Sequence, residues 1–278
     1  MHKPAAKRMN DHHHAFTKLF QQNCDRHRPH SVFSDFCEVS AIAISNAVDL
    51  VQREQREARY MQIAGTYSRD ELTRFAHMLG CVTQALEDGM HDCLGKLFMG
   101  LEMANHWKGQ FFTPYELCGL MARMTLQDAP AQIAERGFIS ISEPASGAGA
   151  MVIAVADALR EMGLNYQQCM HAITMDVDQT AAHMCYVQLS LLHVPAAVVV
   201  GNSLTLEERA HWYTPAHVLG DWGHRLRQRQ AVADMQTLLL PTPAPERATL
   251  DEPTAVLVTK PVSAPFHQPA ALLQADLF

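Results

Sequence analysis

The spacing of hydrophobic residues separates an amino-terminal stretch with a helical period from a central stretch in which short apolar runs alternate with helical ones. Residues 1–33 are polar and show no sustained apolar period, so we expect a flexible lead there. Residues 34–108 carry apolar side chains every three or four positions, which predicts a helical region. Its first element should be one long amphipathic helix running from Phe36 to the charged segment that ends at Arg59.

Two further helices are expected in this region, one beginning at Ser68 and one over residues 91–103. Ser68 and Glu71 have the spacing of a capping box, a common helix start. After the second of these helices come two phenylalanines, followed by Thr113 and Pro114. We interpret Thr113 as a helix N-cap and Pro114 as the first helical residue. The two aromatic side chains before that helix also fit one wall of a ligand pocket.

The central stretch, residues 109–222, predicts three successive β-α units. An alternating apolar run ends at Glu143, a short apolar run ends at Asp176, and the wholly apolar run Pro195-Ala-Ala-Val-Val-Val200 leads into Asn202. The third run is typical of a buried strand in a parallel sheet. The fold class is therefore α/β, and the loops that follow the three strands should meet at the sheet edge where ligands bind in doubly wound folds.

The loop after the first strand contains Gly147 and Gly149, which can adopt positive φ and let a ligand approach the backbone. The free N–H groups of the following helix favour a ligand with acceptor oxygens or a carboxylate. Asp176 lies where nucleotide-binding α/β folds hold a ribose, because a carboxylate can accept from both hydroxyls. A tight strand-to-helix turn and a solvated turn aspartate would explain the same residues without a ligand.

Beyond Leu204 the alternation fails, and we expect a helix and loop over residues 207–224. Arg225, Arg227 and Arg229 form a short basic run that could contact phosphate or simply face solvent. Residues 223–278 are expected to be a mostly irregular tail with one β-prone segment at residues 255–258.

Composition narrows the class of protein. With 278 residues, 48% of them hydrophobic and 18% charged, the chain is typical of a globular protein and has no apolar run long enough to cross a bilayer. The seven cysteines are scattered and never form a C-x-x-C pair, which favours reduced thiols and a cytoplasmic location. A net charge of -7 argues against nonspecific coating of nucleic acid. No constellation of cysteines or carboxylates accompanies the histidine run at residues 12–14, so we predict no metal site.

Four motifs occur together in the order found in amino-methylating DNA methyltransferases: Gly109-Gln-Phe-Phe-Thr-Pro114, Glu143-Pro-Ala-Ser-Gly-Ala-Gly149, Asp176 and Gly201-Asn202. From about Phe36 to Leu219, the chain resembles the modification subunits of type I restriction systems and related adenine-specific enzymes. The resemblance implies a Rossmann-like methyltransferase core that binds S-adenosylmethionine, DNA as a partner, and a reaction that methylates an exocyclic amine. Glu143 replaces the leading aspartate of the second motif, and Ser146 replaces its cysteine.

The resemblance also implies roles for individual residues. Phe112, Thr113 and Pro114 would contact the methionine part of the cofactor. Residues of the second motif, Glu143, Ala145, Gly147 and Gly149, would line the pocket. Asp176 would hold the ribose hydroxyls. Asn202 stands where the family usually has an aspartate, and its side-chain oxygen would face the adenine ring.

One family motif is missing. Family members carry Asn/Asp-Pro-Pro-Tyr/Phe, which orients the target amine and stacks on the flipped base, and no such tetrapeptide occurs in the sequence. Val258-Thr-Lys-Pro-Val262 is at most a distant likeness, so no catalytic residue can be named. Two hypotheses follow: a DNA adenine methyltransferase with a degenerate motif, or a catalytically inactive cofactor-binding protein that acts as a partner or regulator of a modification system. A third hypothesis is an α/β domain that binds another nucleotide, but the Phe112-Thr-Pro loop argues against it because ordinary dinucleotide-binding folds have no equivalent. The need for a protein specificity partner stays open.

Overall fold

The structure, a computed structural model, describes residues 5–101 and 112–239. The chain divides into two units, Met1–Ala233 and Asp234–Phe278. Of the second unit, only residues 234–239 are described, and they form the end of a helix. Residues 109–111 of the first motif, the predicted boundary at residue 108, the β-prone segment and the Val258–Val262 stretch lie outside the described residues.

Twelve helices and four strands make up the described part of the chain. In chain order the helices are α1 Ala5–Asn23, α2 Pro29–Ser45, α3 Arg53–Ala64, α4 Arg69–Glu87, α5 Cys93–Gly100, α6 Tyr115–Thr125, α7 Ala129–Arg136, α8 Ala150–Glu161, α9 Tyr166–Cys169, α10 Gln179–Leu191, α11 Pro215–Leu219 and α12 Trp222–Leu239. The strands are β1 Ile139–Glu143, β2 Met170–Asp176, β3 Ala196–Asn202 and β4 Glu207–Tyr213.

The sheet has the order β1-β2-β3-β4, with β1, β2 and β3 parallel and β4 antiparallel to β3. In the register, Glu143 pairs with Thr174 and Asp176 pairs with Val200. The carboxyl ends of the three parallel strands therefore lie at one edge, which confirms the α/β prediction and the common location of the three loops. Strand β4 was not predicted. Four of its first five residues are polar, so the sequence has no strand pattern there, and β4 is recognisable only from its pairing with β3.

The prediction of a flexible lead over residues 1–33 is wrong for the described part. Helix α1 packs along α4, and its Phe16 and Phe20 are buried. The Phe16 ring makes edge contacts with Phe33 and Phe36 at centroid distances of 6.4 and 5.3 Å. Two aromatic side chains four residues apart are enough to anchor a helix, because each buries a large apolar area, although the polar residues around them obscure the period.

The predicted long helix from Phe36 to Arg59 is interrupted, and residues 46–52 separate α2 from α3. The side chain of Arg56 is buried and bonds to the Ser45 hydroxyl, to the Asp49 carboxylate at 2.6 Å and to the His211 carbonyl at 2.8 Å. A buried guanidinium requires such partners, and they are available only if the chain turns back after Ser45. Leu50, an apolar residue within the predicted helix, is consequently exposed.

The prediction of a mostly irregular tail over residues 223–278 is wrong for residues 223–239, which belong to helix α12. Its first residue, Trp222, is buried and its ring lies edge-on to Phe138 at 5.0 Å. Arg225 lies 3.7 Å above the Trp222 ring, and Arg229 lies 4.6 Å above the Phe138 ring. These two arginines therefore pack on aromatic faces. Among the described residues, no helix is both long enough and apolar enough to cross a lipid bilayer.

Candidate cofactor-binding site

The glycine loop between β1 and α8 is built around two residues with positive φ. Gly147 has φ of 52° and Gly149, the N-cap of α8, has φ of 97°. A Cβ on Gly147 would lie 2.8 Å from Cδ1 of Phe112, and one on Gly149 would lie 3.0 Å from Sγ of Cys185. The loop thus requires glycine at both positions, for conformation and for space. The same contact brings Phe112, from the first motif, against the second motif as expected.

Asp176 holds the glycine loop to the end of β2. Its Oδ2 accepts from the Gly147 N–H at 2.8 Å and its Oδ1 accepts from the Asp178 N–H at 2.9 Å. A carboxylate has about four acceptor positions, so each oxygen can accept one more hydrogen bond. The Asp176 side chain is mostly buried, which fixes these positions. Asp178 caps α10 by accepting from the Thr180 N–H at 2.8 Å.

Glu143 adds a second carboxylate to this edge. Its Oε1 accepts from the Ala145 N–H at 3.2 Å and closes the turn after β1. Burial raises the pKa of Glu143, with a further contribution from the negative charge of Asp176. The two carboxylates are therefore close enough to interact. An acidic edge of this kind suits a ligand that carries hydroxyl donors or positive charge.

Thr113, Pro114 and Asn202 have local roles that differ from those expected. Thr113 and Pro114 are exposed, and helix α6 begins at Tyr115 with Pro114 as its N-cap and without a side-chain capping bond. The predicted Thr113 cap is therefore wrong. Asn202 lies at the carboxyl end of β3, where its Oδ1 accepts from the Leu204 N–H at 3.0 Å. This bond uses the oxygen that we expected to face adenine.

Gln188 stabilises the glycine loop through hydrogen bonds and was not predicted from the sequence. Fully buried on α10, it donates from Nε2 to the Ala148 carbonyl at 2.8 Å and to the Asp92 carboxylate at 2.9 Å. Its Oε1 accepts from the Leu94 N–H at 2.9 Å. A glutamine at a core position in a helix is the signal that would have marked it, since buried amides need partners.

Residues 94–219 match the N-6 DNA methylase family. This match, which spans the whole described site, confirms the resemblance that the four motifs indicate. It also supports S-adenosylmethionine as the cofactor.

Two other comparisons add little to the family match. No curated protein sequence matches the chain significantly. A solved structure from Listeria monocytogenes, named as a class I S-adenosylmethionine-dependent methyltransferase, is similar over 66% of this chain with 16% identity and a TM-score of 0.33. The chain spans about half of that protein, 52% of its length. With so low a TM-score, the similarity has no bearing on individual site residues.

Proposed function

We propose that this protein binds S-adenosylmethionine at the carboxyl edge of its sheet and serves the methylation of an exocyclic amine of adenine in DNA. The observation that carries the proposal is the contact of three motifs in one place. Asp176 bonds to Gly147, and Phe112 packs against Gly147. This convergence, together with the family match to residues 94–219, supports a cofactor pocket rather than a plain turn.

Each of these residues makes a different contact with the cofactor in this proposal. When bound, the cofactor supplies an activated methyl group on a sulfonium. Asp176 accepts from the two ribose hydroxyls through its remaining lone pairs. Gly147 and Gly149 leave room for the amino-acid part beside the start of α8. Phe112 covers that part with its ring, next to Thr113 and Pro114. Asn202 donates from its amide nitrogen to the adenine ring, because its oxygen is held by the loop.

Cofactor binding is tested by calorimetry on the wild-type protein and on Asp176→Asn. The asparagine keeps one acceptor oxygen for the Gly147 N–H but cannot accept from both hydroxyls. We expect wild-type binding and at least a ~10-fold weaker affinity in the variant, because a lost charge-assisted hydrogen bond is worth about 1.5–3 kcal/mol. Glu161→Gln, at an exposed ion pair with Arg123, is the matched control and should bind like wild type. Absence of binding by the folded wild-type protein would contradict the proposal.

The missing Asn/Asp-Pro-Pro-Tyr/Phe tetrapeptide favours a second candidate, a cofactor-binding protein without catalysis that acts as a partner or regulator of a DNA modification system. We expect the chain alone to transfer little or no labelled methyl group to adenine-containing duplex DNA. The tetrapeptide supplies the polar group that orients the amine, and positioning accounts for much of the rate of such a transfer. Strong transfer that Asp176→Asn abolishes would reject the second candidate and establish an active enzyme.

A further inference from the structure

His13, His91 and Cys93 meet away from the glycine loop, although they lie far apart in sequence. One ligand atom from each side chain lies within 4.8 Å of the other two, and His13 Nε2 is 3.4 Å from Cys93 Sγ. Zinc bonds of about 2.1 Å to nitrogen and about 2.3 Å to sulfur place the two donors of a tetrahedral site roughly 3.6 Å apart. The observed spacing therefore matches that of donors around one metal ion.

The environment of His91 provides a second, independent observation. Its side chain is mostly buried, with the residue 8% exposed, and Nδ1 lies 2.7 Å from the Gly89 carbonyl. Its Nε2 is buried without a hydrogen-bond partner among the described residues. Metal-bound histidines usually donate the N–H of one ring nitrogen to a carbonyl and ligate through the other. Because Nδ1 is occupied by the Gly89 carbonyl, Nε2 is the atom of His91 that is available to bind a metal.

The chemistry of the three groups suits a metal. Neutral imidazole and thiolate are the forms of histidine and cysteine that bind transition metals. The Cys93 thiol would lose its proton to solvent on coordination, because a bound divalent cation deprotonates a coordinating thiol.

We propose that His13, His91 and Cys93 form a site for Zn²⁺ or a similar borderline divalent transition metal, with the fourth position open to solvent beside the half-buried His13. Mixed nitrogen and thiolate ligands select this class of ion over Mg²⁺ or Ca²⁺. The site would fasten α1, which carries His13, to the turn between α4 and α5. That turn includes Asp92, whose carboxylate accepts from Gln188.

The test uses the full-length, reduced protein without an affinity tag, freed of metal by a chelator and then titrated with Co²⁺ alone. We expect one equivalent to bind with a thiolate-to-cobalt charge-transfer band, and Zn²⁺ to displace it. Cys93→Ala should remove the band and weaken binding at least ~10-fold, since even altering the outer partners of a ligand costs 10–100-fold. His13→Ala, at a half-buried position, should weaken it as much.

His14→Ala is the matched control, because His14 is adjacent to His13 in sequence but exposed. It should keep both the band and the affinity. Binding that survives Cys93→Ala unchanged, or that disappears in His14→Ala, would assign the metal to the histidine run of residues 12–14 and overturn the proposal. A folded wild-type protein that binds no Co²⁺ would overturn it as well. Circular dichroism in chelator identifies any variant that fails to fold.

Discussion

At the scale of single residues, Gly147 controls whether the first two motifs can touch. Replacing it with alanine adds a Cβ that would lie 2.8 Å from the Phe112 ring, at a residue whose φ is 52°. We expect Gly147→Ala to lower the free energy of unfolding by about 1–2 kcal/mol, the usual cost of a left-handed conformation for a residue with a side chain. Cofactor binding should be lost, because the ring must leave the loop.

The matched control is Gly80→Ala, at a position inside α4 where a Cβ meets no atom within 4 Å. Alanine is the better helix former, so this variant should gain about 0.5–1 kcal/mol. Both changes are measured by denaturant unfolding and by calorimetry with S-adenosylmethionine. Equal stability and equal binding in the two variants would show that the loop has room that the structure does not indicate.

Single residues also show where sequence reasoning works. The positions of Asp176 and of the loop glycines were predictable, because they follow strand patterns that are local in the chain. The contact of Phe112 with Gly147 was implied only by the family resemblance. The Gln188 hydrogen bonds and the meeting of His13 with Cys93 were not predictable, since they join residues 40 to 96 positions apart and depend on how helices pack.

At the scale of elements, a pair formed by the buried His171 and the half-buried His217 joins β2 to the carboxyl-terminal helices. His171 Nε2 lies 2.8 Å from His217 Nδ1, and the His171 ring is 5.3 Å from Trp222. Burial lowers the pKa of His171 to about 3, assisted by His217 and Arg225, and burial lowers that of His217 to about 4. Both histidines are therefore neutral in the folded protein well below pH 6.5.

A lowered histidine pKa means that the unfolded chain binds more protons than the folded one below about pH 6.5, so stability falls as the pH falls. We expect His171→Phe to reduce this slope between pH 6 and 4.5 by about 1 kcal/mol per pH unit. Denaturant unfolding at several pH values measures it. His77→Gln, at an exposed position of α4, should keep the wild-type slope. An unchanged slope in His171→Phe would show that this pair does not govern acid stability.

The elements differ in how far the sequence predicts them. The parallel strands and the capping box of α4 are set by neighbours in the chain, and the structure has them as expected. The break between α2 and α3 depends on Arg56 reaching His211, and β4 depends on its pairing with β3. Such long-range contacts override local periodicity, because a buried charge or an open strand must find partners wherever the fold supplies them.

At the scale of the whole molecule, the first compact unit, residues 1–233, contains all nine predicted cofactor residues. We therefore expect a chain that ends at Leu239 to fold and to bind S-adenosylmethionine with the affinity of the full chain. A chain that ends at Gly220 lacks the buried Trp222 and should unfold at a lower temperature. Calorimetry and thermal unfolding of both truncations make the comparison. Loss of binding in the longer truncation would place part of the site beyond residue 239.

Strand β1 is hydrogen-bonded along one side only, to β2, within the described residues. Near its start, Arg229 donates to the Phe138 carbonyl at 3.2 Å and to the Ser140 hydroxyl at 3.3 Å. The unpaired backbone groups of an edge strand can pair with a strand of another molecule, and a positively charged side chain at the edge makes such pairing less favourable. Arg229 thus places a positive charge at the margin of β1, where a cation opposes edge-to-edge pairing with another molecule.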